Sequence, residues 1–183
     1  MGRTIVLDGS WDQASAYAKK SAKNQKSRQR GGEFESLIET ACEYYSMRGI
    51  AEIEKTPEAR RVVGRTGDRS SQMICVNAKK SQPDFKGTLC GGRSVVFEAK
   101  HTDDDRMQQS RVTPSQLENL MKHQRLGAEV FVLVSFGMKR FFRVPFSCWL
   151  GMKELYGRKY ITPEDCGEFE VSESQERILD FIH

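Results

Sequence analysis

The feature that most constrains the fold is the run Ala128 to Phe136, which is apolar at nearly every position. A strand with one wet face alternates apolar and polar residues, so an unbroken run reads as a central strand covered on both sides. The segment before it predicts a helix. Thr113 is placed as its N-cap and Pro114 as its first helical residue, where a missing N–H costs nothing. Leu117, Leu120 and Met121 give this helix a buried face, and Gly127 closes it. Ser94–Lys100, led by Val95, Val96 and Phe97, predicts another strand, and Arg140–Val144 a third after a turn at Gly137-Met138.

The remaining elements follow from spacing. Phe34, Leu37, Ile38, Ala41, Tyr44 and Tyr45 recur at three-and-four intervals, an amphipathic helix that starts near Glu33 and ends near Gly49. Ile50–Lys55 reads as a strand closed by Thr56-Pro57. Residues 58–82 read as a basic β-hairpin with its tip around Gly64–Ser71, the alternative being an irregular solvated loop. Asp84 falls on a short strand that turns at Cys90-Gly91-Gly92, and a helix starts at Pro145 or Phe146 and runs through Leu155. The tail beyond it is weakly patterned. The expected architecture is α/β: one domain over residues 33–183 with a mixed central sheet flanked by helices, preceded by a flexible basic arm over residues 1–32.

Composition places the chain among soluble domains. Of 183 residues 38% are hydrophobic, enough for a core, while 30% are charged and mean hydropathy is −0.60. The net charge of +4 is unevenly spread: residues 1–31 carry seven Lys and Arg against two Asp. That asymmetry suggests a polyanionic partner, although a solubilising tail would look the same. Cys42, Cys75, Cys90, Cys148 and Cys166 are odd in number and widely spaced, which argues for free thiols over a zinc site or disulfide framework. No apolar run approaches the roughly 20 residues of a membrane span, and the N-terminus lacks a signal peptide's apolar core. The expectation is a cytoplasmic protein without a membrane contact.

Chemistry concentrates in Pro83-Asp84 and Glu98-Ala99-Lys100. Alternate strand residues share a face, so Glu98 and Lys100 point together while Phe97 and Ala99 point into a core. Such a pair is common on exposed strands; Asp84, one hairpin upstream, adds a second hard oxygen ligand. Together they can hold Mg²⁺ against a phosphate and position an attacking water. Gln116, in the first turn of the following helix, can bind a phosphate oxygen or orient water, or can simply cap the helix. Glu35, placed in the first turn of the N-terminal helix, can extend the metal shell or favour the helix dipole.

These residues fit the PD-(D/E)xK signature of a nuclease superfamily. Together with Gly31–Val63, Asp84–Gly87, Gly92-Arg93, Phe97–Thr102 and Gln116, the chain resembles the RecU family of Holliday junction resolvases over roughly residues 30–150. The resemblance implies a restriction-endonuclease-like core and a Mg²⁺-dependent homodimer, with Mn²⁺ as a substitute ion. It would nick four-way junction DNA in symmetric pairs, alongside a recombinase and a branch-migration helicase. It carries the active-site set onto Glu35, Asp84, Glu98, Lys100 and Gln116, with Asp84 and Glu98 as metal ligands. A protruding stalk would be the hairpin at about residues 58–80. DNA contacts are expected from Arg60, Arg61, Arg65, Arg69, Lys79 and Lys80, and from Lys19, Lys20, Lys23, Lys26, Arg28 and Arg30 on the arm. Two alternatives stay open: another PD-(D/E)xK endonuclease of restriction or flap type, and a non-catalytic junction-binding protein. The acidic run Asp103-Asp104-Asp105 departs from the pattern, and nothing beyond about Leu155 is carried over.

Overall fold

In a computed structural model, residues 10–57, 60–65, 73–77 and 82–182 are described. Helix α1 (Ser10–Met47) leads into strand β1 (Ala51–Lys55). Strands β2 (Arg60–Arg65) and β3 (Met73–Asn77) pair with each other, antiparallel, as a separate two-stranded sheet. Then come β4 (Phe85–Leu89), β5 (Ser94–Thr102), the two-residue β6 (Met107–Gln108), helix α2 (Pro114–Arg125), β7 (Glu129–Phe136) and β8 (Arg140–Pro145). The chain ends with α3 (Phe146–Leu150), α4 (Met152–Tyr156), β9 (Tyr160–Ile161), β10 (Glu170–Glu173) and β11 (Leu179–Asp180).

The main sheet has seven strands in the order β1-β4-β5-β7-β8-β10-β11. Only β5 and β7 run parallel, joined through α2; every other neighbouring pair is antiparallel. The mixed sheet is therefore as expected, with β5 and β7 at its centre. Val130 to Phe136 are all buried, which is why that run shows no alternation.

Each face of the sheet carries its own core. On one side Phe34, Ile38, Ala41 and Tyr45 of α1 pack over Ile53, Phe85, Val95, Phe97, Phe131 and Phe141. On the other, Leu120 of α2 and Phe146, Trp149 and Met152 of α3 and α4 cover Val96, Val132, Val134, Phe142 and Val144. Phe85, Phe97 and Phe131 stack across β4, β5 and β7 with centroids 5.0 and 4.6 Å apart. They are also register partners. This ladder pins the sheet: a slip of one residue would send all three rings to the opposite face.

Three expectations need correction. The helix does not begin at Glu33 but at Ser10, running unbroken through Gly31-Gly32. Interior glycines cost about 1 kcal/mol each, which a helix anchored by the packed turns from Phe34 onward can bear. The helix after β8 is two short helices divided at Gly151. The tail supplies two strands of the main sheet, and Leu179 and Phe181 are fully buried; these segments are too short to show a period.

Candidate active site

Register brings the two carboxylates together. Phe85 pairs with Phe97 in antiparallel strands, so Asp84 and Glu98 face each other one step beyond the ladder, on the opposite side of the sheet from its rings. Beside β4, the β1 strand ends at the same level: Lys55 pairs with Phe85, and Thr56 donates its N–H to the Asp84 carbonyl at 2.8 Å. The turn at Cys90-Gly91-Gly92 uses positive φ at both glycines and leaves the ligands in place.

Lys100 bridges the pair, its ammonium 2.7 Å from Glu98 Oε2 and 3.0 Å from Asp84 Oδ2. Asp84 Oδ2 also accepts the Ala99 N–H at 3.0 Å, which fixes the carboxylate against β5. Gln116 donates its side-chain amide to Glu98 Oε2. The amide oxygen of Gln116 accepts the Thr113 N–H at 3.0 Å, and the Thr113 hydroxyl accepts the Gln116 N–H, a capping box at the start of α2. Gln116 is therefore both a capping residue and a partner of the site; the two sequence readings are compatible.

Glu98 is completely buried, and its Oε1 has no hydrogen-bond partner among the described residues. Burial pushes its carboxyl up to about 8; Lys100 opposes the shift and Asp84 adds to it. Burial acts to lower the Lys100 ammonium, but Asp84 and Glu98 outweigh it and hold the group above its ordinary range. An ammonium thus stays charged between the carboxyl groups of Asp84 and Glu98, and one oxygen of Glu98 has no hydrogen-bond partner among the described residues. Two hard oxygen ligands with an orphaned buried atom suit a divalent cation such as Mg²⁺, which commonly takes one or two carboxylates plus substrate phosphate. Among the described residues no group of three or more His, Cys, Asp or Glu is gathered to hold a metal.

Glu35 is not brought into this group. It lies deep inside α1 instead of in a first turn, and it pairs with Lys55 at 3.0 Å beside Glu39. Of the cations expected to meet DNA, Arg60, Arg61 and Arg65 fall on β2, while Arg69, Lys79 and Lys80 lie outside the described residues. Lys19, Lys20, Lys23, Lys26, Arg28 and Arg30 ride on α1; Lys26 and Arg28 are exposed, and Arg30 pairs with Asp103. Sequence reasoning missed Lys55, whose signal is only its position at the end of a strand, and the His101–Asp103 contact beyond Lys100.

The RecU family, described as Recombination protein U, matches residues 29–183. The chain belongs to this family. The match takes in the whole C-terminal stretch that the resemblance left unassigned. Among relatives, the Holliday junction resolvase RecU of Lactococcus lactis is 32% identical over 131 residues, 65% of this chain. The chain spans 58% of that relative's length. Among solved structures, Archaeoglobus fulgidus Hjc, a Holliday junction resolvase, aligns with a TM-score of 0.46 at 13% identity, covering 76% of this chain and 88% of its own. Among the described residues of this RecU-family chain no helix is long and apolar enough to cross a membrane.

Proposed function

We propose that this RecU-family chain is a Mg²⁺-dependent endonuclease that resolves four-way DNA junctions by paired, symmetric nicks. The observation that carries the reading is the convergence of Asp84, Glu98, Lys100 and Gln116, with Glu98 Oε1 buried and without a hydrogen-bond partner among the described residues. Asp84 and Glu98 would hold Mg²⁺, or Mn²⁺ in its place. Bound there, the ion supplies Lewis-acid polarisation of the scissile phosphate and a water of lowered pKa.

The chain's own groups do the rest. Lys100 stabilises charge developing on the phosphoryl oxygens, from a site where its ammonium is already oriented by two carboxylates. Gln116 holds Glu98 in one orientation, because its amide is itself fixed by Thr113. Its second N–H can reach a phosphate oxygen or the attacking water. Arginines and lysines of β2, the segment after β3 and the amino half of α1 hold the junction arms through phosphates, with the hairpin of residues 58–80 as the stalk at the junction centre. Two cuts across a two-fold junction call for a two-fold homodimer. A recombinase and a branch-migration helicase in the cytoplasm would be the working partners.

The deciding test is a nicking assay on a synthetic four-way junction and a matched linear duplex, in Mg²⁺, Ca²⁺ or EDTA. Symmetric nicks in the junction alone, dependent on Mg²⁺, are expected. Efficient cutting of the linear duplex would point instead to a restriction or flap type of nuclease. Tight junction binding without cuts in any metal would leave a binding protein.

A further inference from the structure

The acidic run after β5 has no place in phosphodiester hydrolysis, yet it stands beside the proposed DNA surface. Asp103, its first member, reaches two other elements. Asp103 Oδ1 forms an ion pair with the Arg30 guanidinium on α1 and lies 3.3 Å from Nε2 of His101. The other ring nitrogen of His101 is 3.1 Å from Ser135 Oγ on β7. His101 is 5% exposed and Ser135 fully buried. Arg30 is thereby tied, through Asp103, to the two central strands at the end that carries Glu98 and Lys100.

What lies on either side of Arg30 makes this contact consequential. The packed face of α1 starts at Phe34. Between them, Gly31 and Gly32 have nothing within 4 Å of where a Cβ would sit, so packing does not require glycine there, and the backbone is softest at that point. Arg30 reaches outside the helix, whereas its neighbour Gln29 bonds Glu33 within it. Toward the amino end, α1 continues from Arg30 to Ser10, roughly 30 Å of helix, carrying Lys19, Lys20, Lys23, Lys26 and Arg28.

We propose that the Arg30–Asp103 pair is a latch that sets the direction of the basic half of α1 relative to the catalytic end of β5. Asp103 is then a positioning residue for bound DNA, and Arg30 is a structural cation instead of a phosphate ligand. The inference rests on the junction-nuclease reading for its consequence, though not for its geometry. An exposed ion pair contributes little to stability. Its effect here is leverage, since a 10° swing at the two glycines moves the far end of the basic helix by about 5 Å.

The test compares full-length Arg30→Ala, Asp103→Asn and the charge-swapped double variant Arg30→Glu with Asp103→Arg. Amide hydrogen exchange over residues 20–32 and junction affinity as a function of salt are both measured. The latch predicts that each single variant speeds exchange and weakens junction binding roughly two- to fivefold, and that the swap restores both. Opposite signs, with Arg30→Ala weakening binding and Asp103→Asn strengthening it, would make Arg30 a phosphate ligand and overturn the latch. Unchanged exchange in both single variants would overturn it as well. If the wild-type chain neither binds nor cuts junctions, the functional reading falls, while the exchange data still decide the latch.

Discussion

At Glu98 burial and the Lys100 ammonium pull on the carboxyl in opposite directions, and burial prevails. Its carboxyl loses water, gains Lys100 and Gln116 on one oxygen, and keeps the other without a hydrogen-bond partner among the described residues. On the proposed reading, replacing either carboxylate would remove a metal ligand and leave the cations proposed to meet DNA phosphates in place. Asp84→Ala and Glu98→Ala are each expected to lower Mg²⁺-dependent nicking at least about a hundredfold, with junction affinity in Ca²⁺ within about twofold of wild type. Substantial Mg²⁺-dependent nicking by either purified variant would remove it from the ligand set. A second residue sets an acid limit. Burial lowers the His101 imidazole below its ordinary value, against Asp103, while Arg30 and Arg111 act in the same sense as burial. The folded state thus resists a proton that the unfolded chain accepts below about pH 6.5. The stability contributed by neutral His101 is present above that pH and is lost as pH falls, with a slope no steeper than one proton, about 1.4 kcal/mol per unit. Denaturant titrations from pH 7.5 to 5 should show a shallower decline in His101→Gln than in wild type; identical slopes would place the acid sensitivity elsewhere.

At the level of elements, the site is built by one strand register and one helix cap. The Phe85–Phe97–Phe131 ladder sets Asp84 opposite Glu98, and the Thr113 capping box aims Gln116 at Glu98. Thr113→Ala removes the side-chain acceptor for the Gln116 N–H. It is expected to cost about 1 kcal/mol of stability by denaturant unfolding and to lower nicking further than that loss explains, because Gln116 becomes free to turn. Activity unchanged at full folding would show that the cap does not orient the site. These parts were legible in the sequence: a Thr-Pro helix start, a continuous apolar strand and an Asp one hairpin from Glu-x-Lys each have a local signature. Other parts were not. The Glu35–Lys55 pair depends on which strand lies beside β4, and no spacing reveals a neighbour. Strands of two to four residues at the tail are too short for a period, so their membership in the sheet is written only in the burial of Leu179 and Phe181. The start of α1 was hidden by Gly31-Gly32, where local propensity argues for a break and the attached packed turns argue against one.

Across the whole molecule, α1 joins two regimes, an amino half rich in Lys and Arg and a packed half that Leu179 and Phe181 close over. The phenol of Tyr45 donates to the Leu179 carbonyl at 2.7 Å and accepts the Phe181 N–H at 2.8 Å. The Phe181 ring meets Tyr45 edge-on at 5.3 Å and Phe97 at 5.4 Å. The C-terminal segment therefore belongs to the same core as the ladder, and on the proposed function stability and DNA affinity would separate along one helix. Truncation should separate them too. Deleting residues 1–28 leaves the buried residues of α1 that are described, from Phe34 onward, in place and removes Lys19, Lys20, Lys23, Lys26 and Arg28. Thermal stability should barely change. The slope of log affinity for the junction against log salt should flatten by about 0.9 for each removed cation that neutralises a phosphate on duplex arms. Phe181→Ala should do the reverse, costing about 3–5 kcal/mol of stability while leaving the salt slope of the folded fraction unchanged. A slope that survives the deletion intact would confine DNA binding to the residues that follow Arg28, with the part of α1 before them reduced to a solubilising extension. A slope that falls in both variants would mean that the packed half of the helix holds the DNA surface in shape.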